Sequence, residues 1–284
     1  AIIAGFIIAS SSCSKNGGGN TPPVDSFMIK YGYDSASQIE SASLVAHWNF
    51  NGNETEQLSG SNPTQTANAT YVNGLEGKAI SLDSGYLYYN QDIPALDKMT
   101  TFTVSAWVQI QNNGGTNGYT SMLFQLTKPQ NIFGNINLGF ETGWKPAGND
   151  TLVVHGWYTD PSGGLQDNRN DPFGNPPIGV VINPPNTWVN VMITCDNSNP
   201  VNFLVYANGK SIGAYNTRGT DNYTPITPTG IIIGGWINNV PGIYHTTDTW
   251  PHAFVGNIDE LRVYNKVLTP AEITALYNLQ LVGR

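Results

Sequence analysis

The chain has 284 residues, of which 39% are hydrophobic and only 11% charged, with a formal net charge of −8. That is enough apolar material for a sizeable core, and β-rich chains of this length commonly form one domain. No basic patch is present to displace counterions from a phosphate backbone, so nucleic acid is excluded as a partner; the acidity also disfavours polyanionic glycans, and the low charge is a poor match to a highly charged intracellular enzyme.

In chain order, the first feature is an apolar run from Ile2 to Ile8, too short to span a bilayer and best read as the core of a signal peptide. Ala9-Ser10-Ser11-Ser12-Cys13 then resembles a bacterial lipobox, whose cysteine carries the lipid; the competing reading is a secretory peptide cleaved elsewhere, with Cys13 incidental. Residues 1–13 are thus the signal segment, and 14–26 (rich in Gly, Asn and Pro) a flexible tether. A lipidated Cys13 anchors the chain to a membrane without spanning it. Residues 27–43 form an extra segment, either an edge strand or a docking segment, and the folded domain occupies 44–284.

Within that domain Phe102, Val104, Ala106 and Val108 alternate with Thr103, Ser105, Trp107 and Gln109, the period of two of a half-buried strand. Cys195 lies in phase with Val189, Val191 and Ile193, which predicts a buried, inert thiol; if Cys13 is lipidated, Cys195 has no disulfide partner. Asn208-Gly209 between two strand-like runs predicts a tight hairpin, because a type I′ turn needs positive φ at both central positions. The stretch 159–172 reads as a long polar loop, a length usually found in functional or mobile loops. Thr269-Pro270-Ala271-Glu272 carries a capping box and a proline suited to the first helical position, and Ile273, Leu276 and Tyr277 supply one apolar face. The expected fold is all-β, two antiparallel sheets with one short C-terminal helix.

Several segments carry a family resemblance. Gly256-Asn257-Ile258-Asp259-Glu260-Leu261-Arg262-Val263-Tyr264-Asn265, followed by Thr269, Glu272 and Ile273, resembles the closing strand and terminal helix of the laminin-G-like, concanavalin A-like jelly rolls. Leu44 to Gly52 (with Trp48 and Phe50), Gly74 to Leu82, and Phe102-Thr103-Val104-Ser105-Ala106-Trp107-Val108 are similar to that family's earlier strands. The segments beginning at Trp188 and Val205 fill two more slots, so the motifs run in family order from about residue 44 to 280. The resemblance implies that the two antiparallel sheets form a jelly-roll sandwich. Joined to a lipobox, the pattern resembles LamG-like lipoproteins of Bacteroidetes type. Fold alone does not fix function, since lectins, adhesion modules and glycan-cleaving enzymes share this one.

The resemblance implies a structural Ca²⁺ in many relatives, held by loop oxygens near the first strand and an Asp on the last; Asp259, Asn51 and Asn53 are the matching positions. The competing reading is that Asp259 hydrogen-bonds loop amides. Glycoside hydrolases of similar fold use an E-x-D-x-x-E strand, which is absent, and the adjacent Asp259 and Glu260 point to opposite faces of a regular strand. Polysaccharide lyases need a Tyr/His pair with a neutralising Arg or Gln; His47, His155, His245 and His252 sit in no recognisable motif. A glycoside hydrolase or polysaccharide lyase is therefore the alternative to a non-catalytic binder.

Candidate ligand residues are the aromatics in Gly/Asn/Pro-rich stretches: Trp144, Trp157, Tyr158, Trp236, Tyr244 and Trp250. Sugar C–H faces stack on such rings, while Trp48, Trp107 and Trp188 match family positions and are read as structural. The expected function is a non-catalytic, lipid-anchored, outer-membrane lipoprotein facing the cell surface. It binds glycan or another nutrient ligand, or serves as accessory subunit of a Sus-type TonB-dependent importer and its surface lipoprotein.

Overall fold

The computed structural model describes residues 30–91, 93–116, 119–197, 202–215 and 218–284. Cys13, the apolar run before it and the tether 14–26 lie outside the described residues. Among those described, the strands are β1 (Leu44–Trp48), β2 (Gln65–Asn73), β3 (Lys78–Tyr89), β4 (Phe102–Ile110), β5 (Thr120–Leu126), β6 (Ile136–Phe140), β7 (Thr151–Leu152) and β8 (Val154–Thr159). They continue with β9 (Leu165–Arg169), β10 (Val181–Ile182), β11 (Val189–Asp196), β12 (Asn202–Ala207), β13 (Lys210–Ser211), β14 (Ile231–Ile233), β15 (Pro251–His252) and β16 (Phe254–Tyr264), before helix α1 (Pro270–Leu281).

Fourteen strands join one curled sheet in the order β13-β12-β11-β4-β16-β3-β14-β5-β6-β8-β9, with β1 on β16, β2 on β3 and β15 on β5; β7 and β10 pair separately. The long β3 makes the sandwich. Its residues 80–85 pair with β16 and residues 87–89 with β14, so the strand passes from the back layer into the front one. At the far side β9 returns to β12: Asn168 Nδ2 donates to the Phe203 carbonyl at 2.7 Å, and Tyr158 meets Phe203 edge-on at 4.9 Å. The result is the expected jelly roll, with two layers drawn from one hydrogen-bonded path.

Phe102, Val104, Ala106 and Val108 point into the core between the layers, as their alternation predicts. The opposite face of β4 is buried as well, which corrects the half-buried expectation. The cause is α1, which lies across the back layer: Trp107 stacks on Tyr277 at 5.4 Å and its Nε1 donates to Gln280 Oε1 at 2.9 Å. The helix starts as expected, with Thr269 N–H donating to Glu272 Oε2 and Glu272 N–H to Thr269 Oγ1. Residues 30–43 dock beside it. Ala36 and Ile39 pack with Leu268, Ile273, Leu276 and Leu279, Ala36 N–H donates to the Arg284 carbonyl at 2.9 Å, and no strand forms in this stretch.

Asn208 and Gly209 both take positive φ (48° and 73°), as a tight turn requires. Cys195 is fully buried with a free thiol, and burial pushes its pKa up. The stretch 159–172 is not one irregular loop. Asp160 Oδ1 accepts N–H bonds from Ser162 (2.8 Å) and Gly164 (2.9 Å), a side-chain-closed turn that launches β9 back along β8. No helix among the described residues is long and apolar enough to cross a membrane.

Candidate functional site

The outward face of the front layer carries most of the chain's chemistry. Strand alternation sets Val154, Gly156 and Tyr158 of β8 toward the core and His155 and Trp157 outward. On β9, Arg169 lies opposite His155 and Asp167 opposite Trp157. Two neighbouring sets of side chains stand on this face.

The first is an aromatic cluster sealed by the segment that follows β14. Trp236 sits 5.9 Å from Trp157, 4.9 Å from Trp250 and 5.9 Å from Phe133, and its Nε1 donates to the Thr120 carbonyl at 2.9 Å. Trp157 is 4% exposed, Trp236 and Tyr158 are 0% exposed. These three are therefore core residues, not ligand platforms, which corrects the expectation for them. Two use the outer-face cluster; Tyr158 uses the inner core, its hydroxyl donating to the Asp221 carbonyl at 2.5 Å. Trp250 is partly exposed and stacks on Phe133 at 5.7 Å. Tyr244 is exposed beside a small pocket shared with Tyr88, Ile237 and Ile243. Of the residues read as structural, Trp48 and Trp107 are fully buried and Trp188 is partly exposed.

The second set is an aromatic–arginine ladder along β9 and the segment hydrogen-bonded to its outer edge, where Ala214 N–H donates to the Arg169 carbonyl at 2.8 Å. The Arg169 guanidinium lies 4.7 Å from the Trp144 ring centroid and 5.0 Å from that of Tyr215, and the Arg218 guanidinium lies 4.2 Å from Tyr215. Trp144, which is 44% exposed, is thus the predicted aromatic that joins this arginine set, while Trp250 Nε1 donates to Asp248 Oδ1 at 3.1 Å. Exposed Tyr119 adjoins it, since Gly143 N–H donates to the Tyr119 carbonyl at 2.9 Å. Ion pairs order the ladder: Arg218 Nη1 meets Asp167 Oδ2 at 2.8 Å, and Arg169 Nη1 meets Asp171 Oδ1 at 3.6 Å. Asp167 is also bonded to His155 Nε2 at 3.0 Å, while His155 Nδ1 meets Glu141 Oε1 at 2.6 Å. Burial alone would raise the Asp167 pKa; the His155 hydrogen bond and the nearby Arg218 charge more than offset it, so the carboxyl stays below its ordinary value.

Both nitrogens of His155 are committed, so the imidazole has no free position from which to move a substrate proton. Glu141 and Asp167 clasp that same ring, whereas glycoside hydrolysis needs two carboxylates facing each other across the scissile bond. The ladder instead presents ring faces beside fixed N–H donors, the combination that recognises a polyhydroxylated ring. Of these residues, reading the sequence found only Trp144. The available signal was compositional, because only 12 Lys and Arg occur and two of them stand near Trp144 or Tyr215 in space, but nothing local joins residues 144, 169 and 215.

The expected calcium residues have other work. Asp259 Oδ2 accepts N–H bonds from Leu75 (2.8 Å) and Glu76 (3.2 Å), its Oδ1 accepts from Glu260 (2.9 Å), and it is fully buried. Asn51 Oδ1 accepts from Lys78 N–H at 2.7 Å, so Asn51 and Asp259 clamp the same turn between β2 and β3. Asn53 closes its own loop by accepting from Thr55 N–H. Oxygens turned to N–H groups do not form the six- to eight-oxygen cage that Ca²⁺ takes, and this donor set does not fit the ion. Asp259 and Glu260 diverge through a bulge: Glu260 has φ 49° and turns to His47 Nε2 (3.1 Å) and Arg262 Nη2 (2.6 Å).

Residues 83–274 match a family model described as the concanavalin A-like lectin/glucanases superfamily. Among solved structures, domain 4 of AbnA, a GH43 extracellular arabinanase from Geobacillus stearothermophilus in complex with arabinotriose, is similar at 21% identity and TM-score 0.53, covering 82% of this chain and 98% of that one. The binding domain of Paraclostridial Mosquitocidal Protein 1 is similar at 17% identity and TM-score 0.53 (84% and 52% covered). The binding domain of Botulinum Neurotoxin DC in complex with SialylT is similar at 15% and 0.52 (84% and 51%). The chain spans about half of each toxin binding domain. These likenesses are of fold. No curated protein matches the chain in sequence.

Proposed function

We propose that this chain, which belongs to the concanavalin A-like lectin/glucanases superfamily, is a non-catalytic glycan-binding module. The observation that carries the reading is the ladder Trp144–Arg169–Tyr215–Arg218, where exposed ring surface and charged donors are held in place by Asp167 and Asp171. The arabinotriose-bound arabinanase domain supports it as a relative in fold. Calorimetric titration of a neutral and acidic oligosaccharide panel against residues 25–284 tests it. Binding that Trp144→Ala weakens supports the module, and no heat with any glycan removes it.

The lipobox-like residues ending at Cys13 support placement as a lipid-anchored protein of the outer membrane, facing the cell surface. Accessory service to a Sus-type TonB-dependent importer is the second reading. Its support is a set of exposed apolar side chains, Phe173, Ile178, Val180 and Ile182, of which Ile178 borders the ladder beside Tyr215 and Arg218. A gentle-detergent pull-down of the full chain from its native membrane tests it: stoichiometric recovery of an importer barrel and its surface lipoprotein is the expected result. Recovery of the chain alone leaves a free-standing binder.

A further inference from the structure

A second recess opens where the starts of β15 and β16 meet the end of β4 and the bulge in β3. It is a cleft of about 530 Å³ lined by residues that include Asp83, Gln109, Gln111, Asn113, His252 and Val255. That size falls within the ordinary range of small-molecule sites. Its walls are amide-rich, and among the described residues no Lys or Arg lines it.

Two acceptors here are poorly served. Gln111 uses its amide N–H₂ on the carbonyls of Ile110 (3.1 Å) and Asn183 (2.8 Å), which leaves Oε1 buried with no partner among the described residues. His252 is 7% exposed, and its Nδ1 is hydrogen-bonded to the Ala253 carbonyl. A carbonyl can only accept, so Nδ1 carries the proton and Nε2 is an acceptor, with no partner among the described residues. Acceptors left without a donor favour a ligand that brings hydrogen-bond donors to the cleft. A carboxylate or sulfate brings none and meets Asp83 with no cation to offset it. Hydroxyl groups both donate and accept, and the C–H edges of a sugar ring can lie along Pro185 and Val255.

We infer that this cleft is a second saccharide site, selective for neutral sugars and separate from the ladder. The inference rests on the reading of the chain as a glycan binder. The test is an amide NMR titration of the full chain with arabinotriose as the neutral probe and digalacturonate as the anionic one, repeated on Val255→Trp. Val255 is exposed at the cleft, so this substitution blocks the recess without opening the core. The expected result is saturable shifts at 83–84, 109–113 and 252–257 with arabinotriose, none there with digalacturonate, and loss of the cleft shifts in Val255→Trp while shifts near Trp144 persist. Shifts near Trp144 without any in the cleft, equal cleft shifts with the acidic probe, or cleft shifts surviving Val255→Trp each overturn the cleft and leave the module standing. Silence at both places with both sugars overturns the module and the cleft with it.

Discussion

The Arg169 guanidinium lies over the Trp144 ring at 4.7 Å from its centroid, although the two are 25 residues apart and on different elements. A cation over an indole face orders both side chains. It fixes a half-exposed tryptophan in one orientation before any ligand arrives, which lowers the entropy lost on binding.

Trp144→Ala is accordingly expected to weaken glycan binding about tenfold, close to 1.4 kcal/mol, with little change in melting temperature. Arg169→Ala should act in the same direction through the lost cation–π contact. Calorimetry with thermal melts checks both, and unchanged affinity in both variants would remove the ladder from the binding surface.

Trp157→Ala and Trp236→Ala should behave in the opposite way, because both rings are buried in the outer-face cluster. Truncation of a buried tryptophan costs about 3–5 kcal/mol. Denaturant titration should register that loss in each variant, whereas weakened glycan binding at full stability would show that the ring reaches the ligand.

Stability should depend on pH through two adjacent carboxyls with opposite signs. Burial alone would raise Glu260; the hydrogen bond to His47 and the Arg262 charge bring it down to about 2. Its contribution is present above the unfolded carboxyl pKa and is lost as pH falls from about 4.5 through 2, on the order of 3 kcal/mol. Asp259 is pushed up to about 7, chiefly by burial. Its contribution is present below about 4 and is lost as pH rises through 7, on the order of 4 kcal/mol. Urea titrations at pH 2.5, 4.5 and 7.5 should therefore peak at 4.5, with Glu260→Gln flattening the acid limb and Asp259→Asn the upper one. Unaltered slopes in the variants would assign the dependence to other groups.

Addition of EDTA should leave the melting temperature unchanged, since Asp259 and Asn51 are committed to the amides of Leu75, Glu76 and Lys78. A drop that calcium reverses and that Asp259→Ala abolishes would put an ion in this clamp.

Gln280→Leu should destabilise the chain by about 1–3 kcal/mol by stranding a buried indole N–H, because Trp107 Nε1 donates to Gln280 Oε1. Fluorescence-detected unfolding measures it, and a neutral result would show that the packing of Tyr277 alone holds α1.

What the sequence by itself determined is local. The period of two at residues 102–108, the positive-φ pair Asn208-Gly209 and the Thr269–Glu272 capping box each depend on neighbours a few positions away, so they can be read from order alone. The ordered strand motifs extended that reading to the jelly roll itself. The surface was decided by tertiary structure. Trp144, Trp157, Trp236 and Trp250 share the same Gly/Asn/Pro-rich setting, yet the segment after β14 folds back over the front layer and buries Trp236 and Trp157 while Trp144 stays outside. Asp259 and Glu260 are adjacent and on a strand would diverge in any case, but only the fold brings the turn at Leu75 and Glu76 to one and His47 and Arg262 to the other. Burial and partnership depend on segments tens to hundreds of residues apart, and a linear pattern carries no record of which of them meet.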